Sequence, residues 1–381
     1  SVAYIVRPTN SLVLFGTAVY LFVTNRRSVS AFLVTTCGWG ALFVAYSWTH
    51  FHTILPDYYA ATRLQDIPSI GALMGTLFSP SRGLIIYVPS VIALGAALVR
   101  YRGALRFRPV ATLASGVIAA HVAVVSGFVH WWGGHAYGAR LTTSIVPFLL
   151  VLGVMAGDAS RGARQVGRRP TDVLLAAFSV LLCAASVAMN SVGAFSFEAD
   201  KWNVTPDNID ADPDRLWSWR RPQFLAPIVE PPGPYLPLTS DGFHLGDQSS
   251  NASVGLGWAY PEGEFRWTTG RGASTVRFSL PATESGFLEL NLSPYLVLGK
   301  IDRQRLTVSL NDFELATVTL HTPEFAAYRI EVPAKAARFQ NVLLLRHPDA
   351  VSPRSIDAGR DHRALGMAVR TISWRTRSRD D

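Results

Sequence analysis

The sequence predicts an α-helical membrane bundle of about six spans, followed by an all-β, jelly-roll-like sandwich. Three observations carry this expectation. Long uncharged apolar runs are confined to the first half, arginines cluster at alternate connections between them, and period-two alternation fills the last third.

A chain of 381 residues that is 49% hydrophobic and only 16% charged is too apolar for an ordinary pair of soluble domains. Apolar runs that suit about 30 Å of hydrocarbon occur near residues 10–25, 30–48, 83–99, 109–129, 141–157 and 172–195. The first and fifth are short. Residues 1–195 hold 14 Arg against four acids (Asp57, Asp66, Asp158, Asp172), whereas residues 196–381 hold 21 Lys and Arg against 23 Asp and Glu. All the positive excess therefore sits in the membrane half, which makes it a topology signal and argues against a nucleic-acid partner.

Ten of those Arg fall in three connections: Arg26 and Arg27; Arg100, Arg102, Arg106 and Arg108; and Arg161, Arg164, Arg168 and Arg169. With these loops cytoplasmic, every span alternates without conflict and the C-terminal half lies outside. Two outer loops remain, 49–82 and 130–140, and Ser69–Phe78 within the first reads as a short interfacial helix. The chain opens at Ser1, and Val2–Val6 look like the end of an earlier apolar segment, so an N-terminal portion with further spans is expected.

The organisation expected is a helical domain at 1–195, a Pro- and Trp-rich surface linker at 196–240, and an extracytoplasmic β-sandwich at 241–381. In the last region alternation marks strands at Ser274–Leu280, Gly286–Leu292, Leu306–Leu310, Ala316–Leu320, Tyr328–Val332, Asn341–Leu345 and Ala368–Trp374. Both cysteines, Cys37 and Cys183, lie in apolar runs, so no disulfide framework supports the sandwich.

Three stretches carry a resemblance. They are Phe78-Ser-Pro-Ser-Arg-Gly-Leu-Ile-Ile-Tyr-Val-Pro89, Trp131-Trp-Gly-Gly-His-Ala-Tyr-Gly-Ala-Arg140, and Leu216-Trp-Ser-Trp-Arg-Arg-Pro-Gln-Phe224. Together they resemble the C-terminal part of bacterial GT-C-type membrane glycosyltransferases of the protein-O-mannosyltransferase-like kind. Gly257-Trp-Ala-Tyr-Pro-Glu-Gly-Glu-Phe-Arg-Trp-Thr268 and Asp361-His-Arg-Ala-Leu-Gly366 look like the carbohydrate-binding β-sandwich appended to some of them. The resemblance implies a bacterial plasma-membrane enzyme that moves a sugar from a polyprenyl-phosphate donor to an envelope glycan, lipid or protein on the outer face. In that superfamily the catalytic carboxylate lies in the first outer loop, a position with no counterpart among these residues.

Within that expectation Arg7, Arg63, Arg82 and Arg140, the arginines on the outer side, are candidates for the donor phosphate, because a guanidinium binds phosphate through bidentate charged bonds. Pairing with Asp57 or Asp66, or with lipid headgroups, is the plainer alternative. His50, His52, Asp57, Tyr58, His130, Trp131, Trp132, His135 and Tyr137 are candidates for sugar or acceptor contacts. The tryptophans and Tyr137 equally suit an interfacial aromatic belt, although Gly133, Gly134 and Gly138 among them suggest a tighter loop than a belt requires. The histidines lack metal-ligand spacing; no metal site is assigned, and no cofactor beyond a possible divalent cation.

In the sandwich Trp258 and Trp267 either pack in the core or form a sugar platform, while Asp361 and Arg363 read as a structural pair. Asn203-Val-Thr205 and Asn251-Ala-Ser253 match glycosylation triplets and carry little weight. A membrane anchor that presents a carbohydrate-binding sandwich is the competing function. A transporter is disfavoured because the spans hold almost no ionisable residue beyond His121.

Overall fold

A computed structural model describes residues 7–56, 59, 64, 69–166, 169–231, 233–270, 272–280 and 285–376. It divides into two compact units. One comprises residues 1–196 with 212–224, the other residues 197–211 with 225–381. The segment 196–240 is thus shared between both.

The first unit is helical: α1 (Ser11–Thr24), α2 (Arg26–Phe51), α3 (Ile70–Phe78), α4 (Leu84–Tyr87), α5 (Ser90–Arg100), α6 (Arg108–Val125), α7 (Val146–Val166) and α8 (Pro170–Phe195). Among the described residues four helices are long and apolar enough to cross a membrane: α2, α6, the stretch Arg140–Ala163 that includes most of α7, and α8. The other two spans expected from hydropathy fall on shorter helices. The run 10–25 is α1, of 14 residues, and the run 83–99 is split between α4 and α5. The split has a local cause. Pro89 has no amide hydrogen and disfavours helical geometry at the residue before it, and Val88 accordingly leaves the helix at φ −130°.

Helix α1 packs on α2 and α6, and α5 packs on α7 and α8. Ala111 and Ala114 of α6 let Leu152 of α7 approach closely. Outward faces stay aliphatic: Leu174, Val180, Leu181 and Val187 of α8 are all exposed, a surface suited to hydrocarbon. Buried Asp172 ties the start of α8 to the end of α5, accepting from the Tyr101 hydroxyl at 2.9 Å and pairing with Arg100 at 3.0 Å.

The second unit is a β-sandwich with strands β1 (Phe243–His244), β2 (Trp258–Glu262), β3 (Phe265–Thr269), β4 (Ala273–Ser279), β5 (Gly286–Pro294), β6 (Gln304–Leu310), β7 (Phe313–Leu320), β8 (Ala326–Val332), β9 (Gln340–Arg346) and β10 (Leu365–Thr376). One sheet has the order β2-β3-β10-β5-β8, with β1 also on β10; the other is β4-β9-β6-β7. Every named pairing is antiparallel, and the chain changes sheet at most steps from β3 onward, the winding of a jelly roll.

The core lies between the sheets. Leu288, Leu290 and Leu292 of β5 meet Val276 and Phe278 of β4 and Leu343 and Leu345 of β9. Strand β10 turns Met367 and Val369 inward, then Ile372 and Trp374. That change of phase follows a register shift between Val369 and Thr371, where one extra residue re-aims the strand.

The seven predicted strands all fall on β4–β10. Strands β1–β3 were not predicted, for a physical reason. Strand β3 runs against the usual pattern, with Arg266 and Thr268 buried while Phe265 and Trp267 face out. Arg266 is accommodated because its Nε donates to the Leu245 carbonyl at 3.1 Å and its Nη2 to Asn251 Oδ1 at 2.8 Å.

Candidate functional site

In the helical unit, the three sequence stretches singled out above come together in one network. Ser79 donates from Oγ to the Leu216 carbonyl at 2.7 Å, and the same oxygen accepts from the backbone amides of Ser81 and Arg82. The Arg82 guanidinium, 3% exposed, donates to the carbonyls of Trp132 (3.0 Å), Ser81 (2.9 Å) and Gly134 (3.4 Å) and to Gln223 Oε1. Gln223 is fully buried. Its Oε1 also accepts from the Gly138 amide at 3.2 Å, and its Nε2 donates to the Ala136 carbonyl at 2.8 Å.

Rings complete the assembly. Tyr87 meets Tyr137 edge-on at 5.2 Å and Phe224 at 6.0 Å, and Trp131 lies 6.2 Å from Trp217. Tyr137 donates its hydroxyl to the Met189 carbonyl at 2.5 Å, and burial raises its pKa far above the ordinary phenol value. Gly138 is required twice over. Its φ is +54°, and a Cβ there would sit 2.5 Å from the Tyr87 ring.

The expected site residues therefore separate. Arg82 is engaged by backbone carbonyls and by Gln223, so it organises the loop 131–140 rather than presenting a guanidinium to solvent. Arg140 is exposed at the end of that loop. The pocket between Arg82, Trp132 and Arg140 measures about 10 Å³, the room of about one water.

Trp132 is buried and Trp131 half-buried; they meet edge-on at 5.9 Å, with His130 packed against Trp132 at 4.8 Å. His130 and His135 are exposed on the same loop. His50 stacks on Tyr46 at the end of α2, with its Nδ1 3.0 Å from the Tyr46 carbonyl; exposed His52 follows in a left-handed turn. Arg7 is half-buried ahead of α1. Asp57, Tyr58, Arg63 and Asp66 lie outside the described residues. Gln223 and Ser79 were not singled out; their signal was only their place within the quoted stretches. Among the described residues no three His, Cys, Asp or Glu side chains gather to hold a metal.

In the sandwich unit, Trp258 belongs to the core: it is fully buried and donates from Nε1 to the Thr275 carbonyl at 2.8 Å. Trp267 stands on the outer face of the five-strand path. There Phe325, Phe265, Trp267 and Tyr295 form a chain of rings with successive centroids 5.8, 5.6 and 5.8 Å apart. Arg370 lies over Phe325 at 3.9 Å and pairs with Glu264 at 2.9 Å. Among the described residues, the buried atoms Asn291 Oδ1 and Arg370 Nε have no hydrogen-bond partner. Arg363 pairs with both Asp361 and Glu262 at 2.6 Å, and its hydrogen bonds hold the Asp361 carboxyl below the usual range.

No protein-family model matches this chain, and no curated protein matches it. Solved structures similar to part of it include a family 35 carbohydrate-binding module from an environmental isolate, at 16% identity and TM-score 0.21, covering 36% of this chain and 83% of that one. A family 29 carbohydrate-binding module, CBM29_1 from Piromyces equi, is similar at 13% identity and TM-score 0.21, covering 32% and 77%. The family 35 module of Abf62 from Cellvibrio japonicus is similar at 16% identity and TM-score 0.20, covering 32% and 79%. The architecture given above rests on strand order and register.

Proposed function

We propose that the chain is the C-terminal portion of a multi-pass membrane glycosyltransferase that moves a sugar from a polyprenyl-phosphate donor to an envelope acceptor. One observation carries this reading. The stretches 78–89, 131–140 and 216–224, far apart in sequence, are joined by one hydrogen-bond network that leaves Arg140, His130 and His135 exposed. Pre-organisation of this kind is what a site needs to hold a charged donor in one geometry. The polyprenyl phosphate meets Arg140, and the sugar lies along the exposed edge of the loop. An acceptor hydroxyl displaces the phosphate at the anomeric carbon, its proton passing to a carboxylate supplied elsewhere in the protein.

The same reading sets the topology. The Arg-rich connections face the cytoplasm of a bacterial cell, the apolar helices cross the plasma membrane, and the loop 130–140 and the sandwich lie outside. The test is binding of undecaprenyl phosphate, against the neutral alcohol undecaprenol, to the protein in nanodiscs. Arg140→Ala is expected to abolish the preference for the phosphate. An unchanged preference removes Arg140, and with it the donor site, from the account.

A second reading is a non-catalytic membrane anchor whose sandwich binds glycan. The outer chain of Phe325, Phe265, Trp267 and Tyr295 favours it, because such rings stack on the C–H faces of sugars. Loss of glycan binding in Trp267→Ala, without loss of transfer, separates the two activities.

A further inference from the structure

The residues 212–224 belong to the helical unit, although the chain has already entered the sandwich unit at 197–211. This returning segment is held at both ends. The Leu216 carbonyl accepts from Ser79 Oγ at 2.7 Å, and buried Gln223 bonds to Arg82. Leu216 itself is fully buried at the end of a 3-10 turn, Pro213–Trp217. Between the two anchors, Trp217 is 44% exposed and Trp219 64% exposed. An indole can bury a large area, so two of them left uncovered on a fixed segment mark a contact surface.

Helix α8 supplies the depth of that surface. Its start is polar: Asp172 pairs with Arg100 at 3.0 Å and accepts from the Arg169 amide at 3.3 Å. About 20 residues cover about 30 Å of hydrocarbon, so a crossing that begins at Val173 ends close to Val192. The loop 131–140 is joined to α8 at this level. Tyr137 donates to the Met189 carbonyl at 2.5 Å, and a Cβ on Gly193 would lie 2.1 Å from the Tyr137 ring. Trp131 of the same loop meets Trp217 at 6.2 Å. Phe195, which closes α8, is exposed at that end too. Trp217 and Trp219 are thus tethered where hydrocarbon gives way to headgroups, the layer that indole, an apolar ring with one N–H donor, prefers.

We propose that the segment 213–220 is an interfacial anchor, with Trp217 and Trp219 seated in the headgroup and glycerol layer of a phospholipid leaflet at the C-terminal end of α8. Because Ser79 and Arg82 bind the same segment, the anchor sets the height of the loop 131–140 above the hydrocarbon. The proposal rests on the reading of the apolar helices as membrane spans and is independent of sugar transfer.

The experiment is fluorescence quenching of the full chain in phosphatidylcholine nanodiscs. The discs carry lipid spin-labelled either at the headgroup or at carbon 12 of an acyl chain. The chain has ten tryptophans, so each contribution is read as wild type minus the Trp217→Phe, Trp219→Phe or Trp39→Phe variant, with thermal unfolding verifying each fold. Trp39, 45% exposed near the middle of α2, is the reference for a ring in the hydrocarbon. Trp217 and Trp219 are expected to be quenched at least about twofold more by the headgroup label than by the acyl label, and Trp39 the reverse. Trp217 and Trp219 quenched by aqueous acrylamide but by neither lipid label, with Trp39 quenched by the acyl label, overturns the anchor and leaves the spans standing. Trp39 quenched by neither lipid label removes the spans and the anchor with them.

Discussion

Gln223 accepts a hydrogen bond from Arg82 across 141 residues of sequence, and both side chains are buried. The same amide oxygen accepts from the Gly138 backbone, so one side chain links all three stretches that the sequence singled out. Gln223→Ala would leave the Arg82 guanidinium, the Gly138 amide and the Ala136 carbonyl each short of a buried partner. A loss of about 3 kcal/mol is expected. Gln223→Glu keeps the acceptor and adds a counter-charge to Arg82, and should be the milder change. Hydrogen exchange at residues 133–138 reads both; equal protection in the alanine variant and the wild type would refute the lock.

Gly138 tests the same assembly by shape. Alanine there meets the Tyr87 ring and must adopt a φ of +54°. Strain and overpacking together are expected to cost about 2–4 kcal/mol. Gly153, with nothing within 4 Å of its would-be Cβ, is the control: Gly153→Ala should be neutral or slightly stabilising in a thermal melt.

His347 gives the sandwich a pH dependence of known sign. It is fully buried, its Nε2 lies 3.0 Å from Ser274 Oγ, and burial pushes its pKa down to about 4. The unfolded chain binds this proton near pH 6.5, so the contribution is complete above that pH and is lost as pH falls towards 4. About 3 kcal/mol is at stake. Asp349 and Asp361, held low by Arg305 and Arg363, lose their contributions only below the ordinary carboxylate range, so the windows are distinct. Protection of β9 amides should fall between pH 6.5 and 4.5 in the wild type and stay flatter in His347→Gln.

Arg266 is the buried cation of β3, and its bonds to Leu245, Asp247 and Asn251 fix the segment that leads into β2. Arg266→Ala strips the buried Leu245 carbonyl and the part-buried acceptors of Asp247 and Asn251 of their donor and is expected to destabilise the sandwich by about 3 kcal/mol. A thermal shift of under about 2 °C would show that the segment is held by other contacts.

The strands from β4 onward were legible where burial alternates along them, as with Leu288, Leu290 and Leu292 against Phe287, Glu289 and Asn291. Strand β3 was illegible because a hydrogen-bonded Arg266 occupies the inner face. The helical runs were legible as apolar segments, but hydropathy does not register the backbone break at Val88-Pro89. For the candidate site, the three quoted stretches are those that the fold joins through Arg82 and Gln223, but the partners of Arg82 are not readable from its place in the sequence. Arg82 reads as an anion ligand from its side of the membrane; only its carbonyl partners, set by tertiary structure, give it a scaffolding role.

The central claim is sugar transfer from a lipid phosphate, and the direct measurement is a transfer assay. The full-length protein, reconstituted in proteoliposomes, is given polyprenyl-phosphate sugars carrying a radiolabel, with envelope glycan as acceptor. The account predicts label in the acceptor and release of polyprenyl phosphate, both reduced about 100-fold or more by Arg140→Ala and by Gln223→Ala. No transfer from any such donor by folded, membrane-inserted protein, alongside retained glycan binding by the sandwich, would contradict it and leave the anchor reading in its place.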